Sequence, residues 1–552
     1  MKRTLTLVLV LAMLLTIAAP AFSALATEAP RVLRVAITNP GRGEPKEEEG
    51  NEYKDDNWSL NYIKENWAKP NNVDLRFEIV DDTDGAANQN FVLMLASQTA
   101  PDLYLSSVGE GTSWVRKLAK DDMLADLGPA LEEYGPNIIK LLDMDFIKQY
   151  GSVNGQIIAL PGLEPIPAIS HSWIRQDWLD ILGLPFPEDF DAWYACMVAF
   201  KERAAELEAA GAVAKAEEVI PYAMYHTRWF TDWERIVTRF YAPETFDPMN
   251  LQYYLSGYGI EYNKEGFKEG MAFMNKMYRD GLISPNFALD TEQKQYDRDI
   301  SVGNAGSYTN NLFHGWEPSN SAALHSVAAA NIPGAKYEYI DCFTNKYDGI
   351  ARNPLDSVVL NYTIVPYFSE AADLAIQYLD WVNTPENNLA ITYGIEGESY
   401  EMTDIGPLLY PAEERMAKGF AHLLKDGTEA NFLCRTTDQA WSRIRRSRAA
   451  NLEEAEYAEQ IHQAIEKNGY QRFPLELANV DSFNNLTGGL RDIWTKFLTD
   501  LIMASDDAAF EQVWTSGVAE LEANGSKQIL DDITTFYNEE LKAELEMLEN
   551  VA

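Results

Sequence analysis

The sequence predicts an α/β protein built from doubly wound, mostly parallel sheets flanked by helices, in more than one compact unit. Three observations carry this. Strand-like and helix-like stretches alternate from residue 31 to residue 107, the pattern of a parallel sheet with helical crossovers. The chain has 552 residues, long for a single core. The stretch "VNGQIIALPG" (153–162) reads as a hairpin with a Pro-Gly exit, and a new set of amphipathic helices follows it.

The elements follow in order. Lys2 and Arg3, then "LTLVLVLAMLLTIAA", then the small-x-small Ala24-Leu25-Ala26, have the form of an export signal, with cleavage expected before Thr27. "RVLRVAIT" (31–38) is β-branched and reads as a buried strand. "NWSLNYIKENWA" has helical spacing and opens at Asn57, a good N-cap. "VDLRFEIVD" reads as a second strand, "AANQNFVLMLAS" as a second helix and "PDLYLSS" as a third strand. In such sheets ligands sit beyond the carboxyl ends of the strands, which puts Asn57, Trp58, Ser106 and Ser107 at one rim.

Asp189 is placed to cap a helix whose Phe190, Trp193, Met197 and Phe200 form one buried stripe. Phe267, Met271, Met274 and Tyr278 make a second stripe, ended by Gly281. "SVVLNYTIVP" (357–366) is a strand. A helix from Ser369 to about Asn383 follows, with Leu379 and Val382 inward. Thr384-Pro385-Glu386 starts another helix, which stops at Gly394. The chain beyond 410 is mostly helical.

The composition limits the chemistry. Net charge is −40, and such a surface repels a phosphate backbone, so nucleic acid is not expected as a partner. "RIRRSR" (443–448) is a basic exception; it reads as a solvated helix face or as a local contact for an acidic ligand or partner. Cys196, Cys342 and Cys434 cannot form a full disulfide framework, and Cys196 reads as core. None of them stands at the cleavage point, where a lipid-modified Cys would be. The six His make no metal-hydrolase pattern, and no nucleophile elbow, phosphate loop or dinucleotide fingerprint occurs. No catalytic residue, metal site or cofactor is therefore assigned. Glu396, in "YGIEGESY" (393–400), reads more readily as a carboxylate bonding the amides of its own loop than as a ligand or acid group. A glycosidase needs only two acids, so a secreted carbohydrate-active enzyme stays open as an alternative.

Several segments together resemble one family. "LMLASQTAPDLYL", "NGQIIALP", "WIRQDWLDILGLPFPEDFDAWY", "YRDGLISPNF", "WVNTPENNLAITYGIEGESY" and "TTFYNEEL" are similar, in order and spacing, to segments of the extracellular solute-binding proteins of ABC importers, family 1, in its long oligosaccharide-associated branch. The resemblance implies a two-lobed periplasmic-binding-protein-like fold, each lobe a doubly wound sheet, with hinge strands between them. It implies a sugar bound in the cleft, hinge closure and delivery to the transmembrane subunits of a permease. It also implies that Glu396 organises a loop in a protein that does not catalyse. The expected division is a signal peptide at 1–26, first lobe at 27–160, second lobe at 161–356, a return to the first lobe at 357–425, and a helical part at 426–552 packing mainly on the second lobe. Some members hold calcium on an acidic loop; the matching "AAGAVAKAEEVIP" (209–221) keeps only Glu217 and Glu218, too few hard oxygen ligands. A secreted monomer is expected, and a receptor of the same fold for a peptide or other polar solute is the third reading.

For an oligosaccharide, rings would stack on C–H faces and polar groups would take hydroxyls. The stacking candidates are Trp58, Trp173, Trp229, Trp316 and Trp441. The polar candidates are Asn57, Ser107, Arg175, His226, Arg228 and Asn310.

Overall fold

The computed structural model describes residues 29–38, 58–81, 87–106, 111–163, 170–226, 231–311, 316, 322–355, 357–404, 406–420, 433 and 451–549. The strand β1 (Arg31–Thr38) pairs in parallel with β2 (Val73–Val80) over its whole length, from Arg31↔Val73 to Thr38↔Val80. Leu33, Val35 and Ile37 point into the core, as the β-branched run requires. The crossover is the helix Trp58–Ile63, which widens into a π-turn over Lys64–Ala68. The third strand, β3, is only Tyr104–Leu105, joined to β1 by the parallel bridge Val35↔Leu103. Its other edge pairs with an antiparallel strand from much later in the chain. The hairpin reading at 153–157 holds: β4 (Ser152–Val153) and β5 (Gln156–Ile157) pair antiparallel. Asn154 and Gly155 both have positive φ, 52° and 80°, which matches the twist of a two-residue turn.

The strand β6 (Leu160–Leu163) leads out of this first lobe, and β7 (Ser170–Arg175) begins the second. The second-lobe sheet has the order β10-β7-β9-β8, with β8 at Ile220–Ala223, β9 at Ala305–Asn311 and β10 at Tyr337–Ile340. β8 and β9 are parallel, while β7 runs against both its neighbours. The sheet is therefore mixed rather than parallel throughout. One face packs Ile174 and Tyr222 against Trp178, Trp193 and Phe200; the other packs Trp173, Tyr308 and Tyr337 together.

The helix Phe190–Glu202 starts where the sequence places it. The Asp189 carboxylate accepts the Ala192 N–H at 2.8 Å, and Phe190, Trp193, Met197 and Phe200 are buried. Each such side chain contributes about 1.5–3 kcal/mol on leaving water. In the helix Phe267–Arg279 the stripe ends at Met277, not Tyr278. Tyr278 is half-buried at the edge, its hydroxyl reaching the Pro285 carbonyl at 3.3 Å. Cys196 lies in this core, and burial pushes its thiol up to about 11.

The strand β11 (Asn353–Leu355) closes the second-lobe segment, and β12 (Val359–Ile364) re-enters the first lobe. The buried cores show where the chain changes sides. Two cores draw on residues 33–160, 359–391 and Leu433. The other two draw on residues 173–343, 458–465 and 477–541. At the first two crossings β6 pairs antiparallel with β12, with a bulge between Val359 and Asn361. Leu163 N–H donates to the Leu433 carbonyl at 2.6 Å, which sets Leu433 beside β6. The strands β13 (Tyr400–Thr403) and β14 (Gly406–Leu409) form a hairpin in the return segment. The last strand, β15 (Gly469–Gln471), pairs in parallel with β11. The lobes also touch away from the crossings, where Arg116 and Lys120 reach Asn479 and Asp481.

The closest approach between the crossing strands is at Gly162. A Cβ there would lie 2.0 Å from Asn361 Oδ1 and 3.3 Å from its carbonyl. Gly162→Ala should therefore destabilise the protein by about 1–3 kcal/mol through overpacking. Asn361→Ala in the same chain should recover part of that loss, and chemical denaturation of the single and double variants measures the coupling.

Candidate ligand-binding cleft

In an open α/β sheet a ligand site forms at the carboxyl ends of the strands, and the strand directions decide which side chains stand there. On the second lobe, β8 and β9 run toward one edge together. Tyr225 and His226 follow β8; Asn310 is the penultimate residue of β9, and Trp316 lies five residues beyond the strand's end at Asn311. β7 runs the other way, so its first residues share this edge. His171 stands opposite Asn310 in the register, and both are buried. His171 also contacts the rings of His462 (centroids 5.8 Å apart) and Tyr339 (6.4 Å).

The loop after β8 is held by the short helix Thr231–Val237, sequence "TDWERIV". The Asp232 carboxylate accepts the Tyr225 N–H at 3.0 Å, and its carbonyl accepts the Tyr222 hydroxyl at 2.8 Å. Arg235 is fully buried. Its guanidinium bonds the Asn353 side chain, lies 3.4 Å from Ser172 Oγ and stacks over Phe343. Asp341 sits close by. Burial raises its carboxyl above the ordinary range, against the opposing pull of Arg235.

The rings are less open than their number suggests. Trp316 is 7% exposed, stacked on Trp173 at 6.1 Å and 25°, with Tyr457 at its edge. On the first lobe, Trp58 has Tyr62 on one side (5.3 Å, 19°) and Phe420 on another (5.3 Å, 48°). Trp58 is only partly exposed. Ser106 ties β3 to β12: its Oγ accepts the Tyr362 N–H at 2.8 Å, and its own N–H donates to the Tyr362 carbonyl at 2.8 Å.

Among the residues singled out from the sequence, the structure brings His226, Asn310 and Trp316 to one edge of the second lobe and puts Trp58 at the rim of the first. It sets two others apart. Trp173 is wholly buried beneath Trp316, with His325 against it at 4.9 Å. Arg175 lies at the far end of β7, because β7 runs antiparallel to β9. Its guanidinium is fully buried and spent on Asp177 (2.6 and 2.7 Å) and on the carbonyls of Gly303 and Ala212. Asn57, Ser107, Arg228, Trp229 and Trp441 lie outside the described residues, as does the 443–448 basic run. His171 on β7, and Asp232 and Arg235 on the short helix, were not singled out from the sequence.

One further reading changes. Glu396 is exposed, and Ser399 organises its loop instead. Ser399 Oγ donates to the Tyr393 carbonyl at 2.6 Å and accepts the Ile395 N–H at 2.8 Å. In the segment compared with a calcium loop, Lys215 pairs with Glu218 at 2.8 Å, and Glu208 accepts the Ala216 N–H. Among the described residues no group of three or more His, Cys, Asp or Glu is placed to hold a metal ion.

The sequence pattern of the bacterial extracellular solute-binding proteins matches residues 52–389. The chain belongs to this family. Its members bind solutes; they are not enzymes. A curated relative of this solute-binding protein, lipoprotein LipO of Bacillus subtilis (strain 168), is 22% identical over 334 residues, 58% of this chain and 61% of that protein. A second, an uncharacterized protein in the butB 5′ region of Niallia circulans, is 26% identical over 136 residues, 25% of this chain and 50% of that one. The chain thus spans less than two thirds of either relative. Among solved structures, an extracellular solute-binding protein from Bifidobacterium longum subsp. infantis superposes with a TM-score of 0.65 at 13% identity, over 92% of this chain and 98% of that one. The alginate-binding protein AlgQ2, without calcium ion, gives 0.60 at 14%, over 93% and 99%. At such identities the likeness concerns the fold, and that fold is the two-lobed periplasmic-binding-protein-like one. No helix among the described residues is long and apolar enough to cross a membrane.

Asp232→Ala removes the acceptor of a buried backbone N–H, a loss of about 1–3 kcal/mol. The expected outcome is a protein that still folds, with a lower denaturation midpoint and an unchanged denaturant slope.

Proposed function

We propose that this solute-binding protein is the extracytoplasmic receptor of an ABC importer, taking an oligosaccharide between its lobes and delivering it to a membrane permease. What supports this reading is the family the chain belongs to, together with the strand order that brings the segments of His226, Asn310 and Trp316 to one edge of the second-lobe sheet. A sugar ring offers C–H faces to aromatic groups and hydroxyls to imidazole and amide groups. Relatives of the same fold point the same way: they include proteins described as HMO binding, as alginate-binding and as in complex with kestose.

In this reading Trp58, His226, Asn310 and Trp316 contact the ligand, joined by Asn57, Ser107, Arg228, Trp229 and Trp441. Trp173 and Arg175 support the site from within the fold. Residues 1–26 direct export, and the mature protein works as a monomer outside the cytoplasm. A ligand that touches both lobes favours the closed arrangement. Small-angle scattering should show a smaller radius of gyration at saturating sugar; an unchanged radius counts against closure.

Calorimetric titration with an oligosaccharide panel, followed by chromatography of the recovered sugar, tests the assignment. The expected result is binding of at least one sugar, recovered intact. Trp229→Ala should weaken that binding by about 1.5–3 kcal/mol, the worth of a well-covered ring. Failure of the whole panel to bind, or cleavage of a sugar by pure protein, overturns the reading.

A further inference from the structure

A cavity of about 750 Å³ lies along β8, the edge strand of the second-lobe sheet. It starts at the amino ends of the strands, the opposite end from His226 and Asn310. Glu218 stands two residues before β8, and Asn304 directly precedes β9. From there the cavity runs along β8 as far as Met224. The helix Lys294–Ser301 and the segments 278–290 and 503–505 complete its wall. Sites for small organic molecules fall in the range of about 300–1,000 Å³.

The wall combines apolar surface with buried acceptors. Ile220, Met224, Ile283, Phe287 and Tyr296 supply the apolar part. Asp299 is 7% exposed and Asn304 8%. Asp299 Oδ1 accepts the Gln295 side-chain N–H at 2.7 Å. Asn304 Oδ1 has no hydrogen-bond partner among the described residues, and a buried acceptor without a donor is rare in a folded protein. Glu217, Glu218 and Asp290 line the same space. The cations of the wall do not answer these groups. Arg279 pairs with Asp507 at 2.7 Å. Lys201 and Arg298 are exposed, on long stems that keep their charge in water. Burial pushes the Asp299 carboxyl up to about 6; Gln295 and Arg298 oppose this, and the charges of Asp290 and Glu218 add to it. Asp299 and Asn304 thus both want a donor, and a positively charged one satisfies both. A metal ion does not fit the arrangement, since among the described residues no group of three or more His, Cys, Asp or Glu is placed to hold one.

We propose that this cavity is a second binding site, separate from the cleft edge, for a small organic ammonium ion: a protonated amine on an apolar stem, its N–H groups on Asp299 and Asn304 and its stem against Ile283, Phe287 and Tyr296. The ammonium supplies the donor that Asn304 Oδ1 lacks and a counter-charge for a carboxylate held among other acids. Hydrogen bonds from a cation to a carboxylate are roughly twice as strong as neutral ones. A neutral alcohol of the same shape gains the donor without the charge, and a carboxylate is repelled. The site does not depend on what the cleft binds, and either can fail without the other.

Calorimetric titration of the full chain with phenethylamine tests the site, with no sugar present and in about 150 mM salt to screen the general surface charge. Two probes of similar shape run beside it, the neutral 2-phenylethanol and the anionic 3-phenylpropanoate. The amine should bind one to one, the alcohol roughly tenfold more weakly, and the acid not at all. Asp299→Asn should weaken amine binding roughly tenfold, and Asn304→Leu by a smaller factor, each with the circular dichroism of the wild type. The proposal is overturned if the amine does not bind or if the alcohol binds as well as the amine. It is overturned equally if amine binding is unchanged in Asp299→Asn, which marks attraction to the acidic surface at large, or if calcium chloride at equal concentration displaces the amine, which marks a metal site. If Asp299→Asn does not fold, unchanged binding in Asn304→Leu overturns it.

Discussion

A charge taken out of water has to be answered inside the protein, and seven residues of this chain meet that demand three times. The Thr231–Val237 helix buries Asp232, Glu234 and Arg235, and each is answered by a different part of the molecule. Asp232 holds the backbone after β8, Glu234 meets Arg472 near the C-terminal helices, and Arg235 reaches Asn353 beside the crossing. Breaking one partner of a buried pair typically costs about 3–5 kcal/mol. Few apolar contacts are as position-specific. The helix is too short to be stable alone, so these bonds fix both its place and theirs.

The same region shows how a binding protein can be rigid within each lobe and compliant between them. Each lobe has its own apolar cores, and between them β6 pairs with β12 across a bulge and one tight glycine contact. A bulge interrupts the ladder and bends the strand. Few side chains would have to repack there if the lobes turned.

Most of the fold was legible from pattern alone. β1, β2, the hairpin at 152–157 and the helices capped by Asp189 and Thr384 lie where periodicity and capping residues put them. The direction of β7 was not legible, because alternation is the same for a parallel and an antiparallel strand. Arg175 was read as a polar ligand candidate, whereas at that end of β7 its guanidinium is buried and bound within the fold. Trp173 was misread for a related reason: an aromatic on a strand serves a cleft or a core equally well in sequence, and only the ring of Trp316 above it decides. Asp232, Glu234 and Arg235 escaped because buried charge violates the rule by which faces are read. Ser399 escaped because a small hydroxyl carries no pattern, whereas the neighbouring Glu396 draws attention by its charge.

The interleaving of the lobes along the chain has a consequence for how the protein comes into being. The first lobe gathers residues 33–163 with 359–433, and the second gathers 173–343 with 458–541. Neither core is complete until well over two thirds of the chain exists, and the second waits for the final helices. Contacts this distant in sequence form slowly, since the loops between them must first be closed. A growing chain of this topology stays loosely organised while it is being made. Its early β-rich segments wait longest for their partners and are the ones most open to mispairing in that interval.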